Sequence, residues 1–125
     1  MKHLAVTDLA AWLADGTKAP PVLLDVREPW EYEVAHLHDA VLVPMRTIPA
    51  ALETAMAAPE SAAPQGAGQP GAFDPARPIV CICHHGARSM QVAAYLERAG
   101  VRDVYNLTGG IDAWSRQVDP ALPTY

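Results

Sequence analysis

Four short, mostly apolar runs recur along the chain: "PVLLDV" (21–26), "AVLVP" (40–44), "IVCIC" (79–83) and "VYNL" (104–107). None alternates apolar and polar residues, as a strand with one wet face does, so each is expected to be a strand buried on both faces. Segments with helical spacing separate them. Residues 6–15 place Leu9, Trp12 and Leu13 on one face, with Thr7 in position to cap the first turn. Residues 28–36 set Trp30 and Val34 one helical turn apart behind an acidic start. Residues 47–58 align Ile48, Leu52, Ala55 and Met56, and Pro49 falls in the first turn, where a missing N–H is harmless. Residues 87–100 carry the clearest apolar stripe, Val92, Leu96 and Ala99 with Tyr95 beside it, and Gly100 is placed to stop the helix. A last helix is expected over 109–117, after a Gly-Gly turn. Strands alternating with helices give an α/β fold, a central parallel sheet with helices on both faces.

The length of 125 residues suits a single domain spanning 1–125 that needs neither disulfides nor a structural metal. Residues 58–78, "APESAAPQGAGQPGAFDPARP", interrupt it with Ala, Pro, Gly, Gln and Ser. With little to bury, this stretch reads as a mobile insertion loop, either a tolerated expansion or a docking segment. A formal net charge of −5 argues against nucleic acid or an anionic membrane as partner. Asp8 breaks the only apolar run near the N-terminus that could pass for a secretion signal, so a cytoplasmic protein with reduced thiols is expected.

Both cysteines lie in "CICHHGARS" (81–89). In an extended strand, residues two apart have Cα atoms roughly 6.6 Å apart and parallel Cβ vectors, which opposes a disulfide between Cys81 and Cys83. Cys81 reads as inert strand core. Cys83 ends the strand, where ligands of open α/β sheets gather. The loop that follows is short, and Gly86 allows it to curl. Its N–H groups and the N-terminus of the next helix would converge on one point and stabilise a Cys83 thiolate. His84 and His85 would line the rim, with Ala87 completing the turn. Arg88 would bring its fork to a bound anion, and Ser89 would bond the sulfur or cap the helix. Zinc or copper on Cys81, Cys83, His84 and His85 is disfavoured, because the strand separates Cys81 from the histidines and no second cluster supplies further ligands. No metal and no cofactor is expected.

"CHHGARS" at a strand end resembles the active-site loop of the rhodanese family, whose pattern is Cys, two variable residues, Gly, one variable residue, Arg, then Ser or Thr. "LLDVREPWEYEVAHLHDAVLVP" resembles the family's N-terminal signature through Asp25, Val26, Arg27, Glu28 and His36. "VYNLTGGIDAWSR" resembles its C-terminal signature through Gly109, Gly110 and Trp114. The resemblance covers nearly the whole chain outside 58–78 and looks most like the single-domain bacterial members. Ala35 and Asp39 stand where the family commonly has glycine.

The resemblance implies a rhodanese-like sheet of about five strands and a thiosulfate sulfurtransferase type of enzyme. Cys83 would take the outer sulfur of a donor such as thiosulfate as a persulfide and pass it to a thiophilic acceptor: cyanide, a cellular thiol or a protein. Arg27 would help balance the donor's charge, and Asp25 would orient Arg27 or the loop backbone. Trp114 would be core, and His36 a structural hydrogen-bonder. Two other readings stay open: a cysteine-dependent phosphatase or arsenate-type reductase, and a non-catalytic binding module. Cysteine phosphatases use a loop one residue longer than the four-residue gap between Cys83 and Arg88, and the shorter cradle favours a single sulfur over a phosphoryl group.

Overall fold

The computed structural model describes residues 1–57 and 73–125. Five strands and five α-helices follow in the order β1 (Lys2–Ala5), α1 (Val6–Ala14), β2 (Val22–Asp25), α2 (Pro29–Val34), β3 (Val41–Leu42), α3 (Ile48–Ala57), β4 (Ile79–Ile82), α4 (Ala87–Arg98), β5 (Val104–Thr108) and α5 (Gly110–Gln117) among the described residues. All strand pairs are parallel, in the order β1-β5-β4-β2-β3. This is the expected α/β architecture. The fifth strand is β1, an exposed edge strand of sequence "KHLA" that carries no apolar run to announce it.

The central strands are buried throughout, and successive residues feed opposite faces. Val22, Leu24, Ile79 and Cys81 pack with Ile48 and Leu52 of α3 and with Val92, Ala93 and Leu96 of α4. Leu23, Val80, Ile82 and Leu107 pack on the other face with Val6 and Leu9 of α1 and Ile111 of α5. β4 sits between β2 and β5, so the segments after these three strands open side by side at one end of the sheet. Among the described residues, no helix is long and apolar enough to cross a membrane.

Several expected details are corrected. Thr7 caps nothing, because α1 starts two residues earlier than a Thr7 cap would place it, with Ala5 at the N-cap position and no side-chain bond there. Leu13, Met56 and Ala99 lie at the exposed margins of their helices. In α2 the expected face is reversed: Trp30 and Val34 face solvent, and Glu31 is the residue buried. The strand at 40–44 shortens to two residues at the sheet edge. Asp39 adopts a left-handed φ of 65°, doing the work of the glycine usual there, whereas Ala35 is extended at φ −165° and needs none.

Most of the 58–78 stretch lies outside the described residues, but Phe73 within it does not. It is fully buried in the cluster on the α3–α4 face. The stretch therefore does have something to bury, and Phe73 anchors its return to β4. Phe73→Ala is expected to cost roughly 3–5 kcal/mol, the usual range for emptying a buried aromatic site. Chemical denaturation would show this as a lower midpoint at unchanged slope; a loss below about 1 kcal/mol would contradict the anchoring role.

Candidate active site

The site forms where β4 ends. Cys83 follows the strand and is almost wholly buried. Gly86 turns back with φ +108°, a conformation that suits glycine, and its N–H donates to Cys83 Sγ at 3.0 Å. α4 then begins at Ala87, which is exposed. One turn in, the buried Ser89 hydroxyl stands 3.3 Å from Sγ and 2.5 Å from Asn106 Oδ1 of β5. A hydroxyl has one proton. Turned to sulfur it supports a thiolate; turned to Asn106 it leaves Oγ free to accept from a thiol. Ser89 thus serves the sulfur and not the helix end. Cys81 points into the core, where burial raises its pKa well above the ordinary thiol value, so it stays a neutral thiol.

α5 fixes the loop from the other side. The N–H groups of Ile111 and Asp112 donate to the carbonyls of Cys83 and His84 at 2.9 and 3.1 Å. Two of the N–H groups left unpaired at a helix start are thereby satisfied by the cysteine loop itself. Gly110, at φ +59°, makes this possible, because a β-carbon there would overlap those same two carbonyls. The Gly-Gly turn is therefore a seat for the Cys83–His84 peptide.

Arg88 does not reach out to the mouth. Its fork lies on Glu31 of α2, Nη1 to Oε1 at 2.6 Å and Nη2 to Oε2 at 2.8 Å. Glu31 Oε1 also accepts from the Glu28 N–H at 3.0 Å, and Oε2 accepts from the Tyr125 hydroxyl at 2.8 Å. With its side chain 5% exposed, Glu31 remains charged because these donors outweigh desolvation. Arg27 is also withheld from the mouth. It is wholly buried, and its guanidinium donates to both Asp25 oxygens, to the carbonyls of Glu31 and Ala35, and to the Tyr125 hydroxyl. In this arrangement Arg27 ties α2 and the tail to the end of β2, and Asp25 holds its guanidinium by both oxygens.

Tyr125 closes this network. Its ring stacks on His84 at 4.0 Å and meets Trp30 edge-on at 5.7 Å. His84 stacks in turn on the exposed His85. Burial first, and the neighbouring His85 second, lower the His84 pKa, so it stands neutral at pH 7. One ligand atom each from His84, His85 and Asp112 lies within 4.8 Å of the others, the group among the described residues that could hold a cation. Asp112 is already engaged by Arg116 at 3.0 Å. His36 bonds the Tyr32 carbonyl at 2.8 Å and stacks on its ring, a structural placement.

Glu31, Asn106 and Tyr125 are absent from the sequence-based site. Only Glu31 had a local signal, since a Glu three residues after a helix cap commonly bonds back to the cap N–H. The Arg88 fork, the largest influence, and the other donors lower the Glu31 pKa from an ordinary 4.5 to about 2. The folded-state value lies below the unfolded one, so the stabilisation is complete above pH 4.5 and is lost as pH falls toward 2. The melting temperature of the wild type should therefore fall more steeply across this window than that of Glu31→Gln. Parallel curves would contradict the assignment.

Comparison with known proteins follows the same lines. The family model described as "Rhodanese-like domain" matches residues 6–117. The Arabidopsis thaliana "Rhodanese-like/PpiC domain-containing protein 12, chloroplastic" is 39% identical over 103 residues, covering 82% of this chain and 30% of that protein. The "Probable adenylyltransferase/sulfurtransferase MoeZ" of Mycobacterium tuberculosis is 32% identical over 118 residues, covering 94% of this chain and 26% of that protein. The chain thus spans less than a third of the length of these relatives. A rhodanese-like domain protein from Staphylococcus aureus superposes with a TM-score of 0.72 at 28% identity, covering 100% of this chain and 99% of that one.

Proposed function

The chain belongs to the rhodanese family, and from that premise we propose that it is a sulfurtransferase carrying sulfane sulfur as a persulfide on Cys83. The observation that carries this reading is the seat of Cys83 Sγ: at the foot of a strand-to-helix loop, 3.0 Å from the Gly86 N–H, beside the Ser89 hydroxyl, with the loop carbonyls held by α5. A nucleophile there needs a rigid backbone and donors for negative charge on sulfur, and both are supplied.

The cycle has two displacements. The Cys83 thiolate attacks the outer sulfur of the donor, the donor's S–S bond breaks, and its electron pair leaves with sulfite when the donor is thiosulfate. The Cys83 persulfide then gives up its terminal sulfur to an acceptor nucleophile, and the Cys83 thiolate returns. The Gly86 N–H and the Ser89 hydroxyl receive the charge on sulfur in both half-reactions, so ping-pong kinetics are expected. The acceptor we favour is a thiol, free or on a protein, with cyanide as a convenient substitute in an assay. Names such as adenylyltransferase/sulfurtransferase among the relatives are in keeping with a sulfur-transfer role.

A phosphatase reading is opposed by the shorter loop and by an Arg88 fork already filled by Glu31. A purely binding role leaves the seat of Cys83 unexplained. Incubation with thiosulfate or with a small-thiol persulfide should add the mass of one sulfur atom to the wild type and none to Cys83→Ser. No adduct from either donor, alongside turnover of a phosphate ester, would overturn the proposal.

A further inference from the structure

We infer that Glu31 is a specificity-determining residue: by filling the Arg88 fork it turns the site away from dianionic donors such as thiosulfate and toward persulfide donors of the form R–S–SH. The inference rests on the persulfide cycle proposed above and names the donor class for that same site.

The loop amides and the start of α4 offer a dianion only partial positive charge, and the arginines around the loop are paired. Arg88 is held on Glu31 by both nitrogens, and Arg27 lies on Asp25, both groups being fully buried. Arg46 is bonded to Glu28, and Arg116 to Asp112. Of the two stacked histidines at the mouth, His84 is held neutral by its surroundings, and His85 has the Asp112 carboxylate 3.8 Å away. The chain as a whole carries a formal −5, so no wider field draws an anion in.

Glu31 is not easily displaced. Arg88 supplies two of its donors, the Glu28 N–H a third and the Tyr125 hydroxyl a fourth. A sulfonate that took the Arg88 fork would leave a carboxylate with a 5% exposed side chain facing it without its cation. Arg88 itself is 35% exposed, so the cost falls on the buried Glu31 carboxylate, which would lose its two charge-assisted donors.

A persulfide makes no such demand. The Cys83 thiolate attacks the terminal sulfur of R–S–SH, the S–S bond to R–S breaks, and a new S–S bond forms to Cys83. The hydrogen stays on the transferred sulfur, and R–S⁻ leaves with the electron pair and takes a proton from water. Charge is conserved, no oxidant or reductant is needed, and one sulfur enters where the Gly86 N–H can meet it.

The test compares loading rates of the full chain, followed by intact mass, with thiosulfate and with cysteine persulfide. Both donors use the same nucleophile, so a change in Cys83 reactivity cancels in the ratio of the two kcat/KM values. Glu31→Gln should shift that ratio toward thiosulfate by about tenfold or more, the scale of one unit charge removed at short range in a partly screened site. An unchanged ratio, or a shift toward the persulfide, would overturn the inference while leaving the Cys83 cycle intact. Loading by neither donor would overturn both. Should Glu31→Gln not fold, the wild type decides the matter through ionic strength. A thiosulfate rate that stays level or rises with added salt supports the inference, and a steep fall, the mark of an attractive cationic site, overturns it.

Discussion

The carboxylate of Glu31 is the point on which three parts of the molecule meet. It belongs to α2, it takes the Arg88 fork of α4, and it accepts the hydroxyl of Tyr125 in the tail. Tyr125 in turn accepts from Arg27, which is locked to Asp25 at the end of β2 and to the carbonyls of Glu31 and Ala35. Five side chains from four segments thus form one chain of charge-assisted bonds. Each buried charge is answered by an opposite one, as an ion placed in a dry interior requires. The same closure leaves the site, among the described residues, with ordered donors and with the forks of Arg27 and Arg88 both engaged.

The cysteine loop depends on a second constraint, which is mainly backbone. α5 donates two N–H groups to the consecutive carbonyls of Cys83 and His84, and Gly110 brings the helix close enough to do so. From the opposite side, Asn106 of β5 meets the Ser89 hydroxyl beside Sγ. Because β5 and α5 are joined by a short Gly-Gly turn, one supersecondary unit holds the loop backbone and tunes the surroundings of the sulfur. Placement on rigid elements is what lets a nucleophile keep its alignment through two half-reactions.

The apolar runs made most of the fold legible in the sequence, because central parallel strands must be apolar on both faces. The cysteine loop was legible because its chemistry is local: Cys83, Gly86, Arg88 and Ser89 lie within one turn and one helix start. What escaped depends on partners far away in the chain. β1 is an edge strand whose side chains meet solvent, so nothing apolar marks it. Trp30 and Val34 looked like the inner face of α2, yet the helix turns Glu31 inward because Arg88, 57 residues on, waits there. For the same reason the fork of Arg88 was expected to be free. Tyr125 in an irregular tail and Phe73 in a Pro/Gly/Ala-rich stretch carry no periodic signal, and only tertiary contact reveals their roles.

The proposed cycle asks a buried thiol to carry one extra sulfur while its charged neighbours remain paired. The most direct measurement follows the sulfur itself. A donor isotopically labelled in its outer sulfur is mixed with the protein, which is digested without reductant, and fragmentation of the peptide holding both cysteines locates the label. Label is expected on Cys83 and none on Cys81, leaving quantitatively when an acceptor thiol is added. Label on Cys81, label that no acceptor removes, or an unlabelled peptide would contradict the proposed cycle.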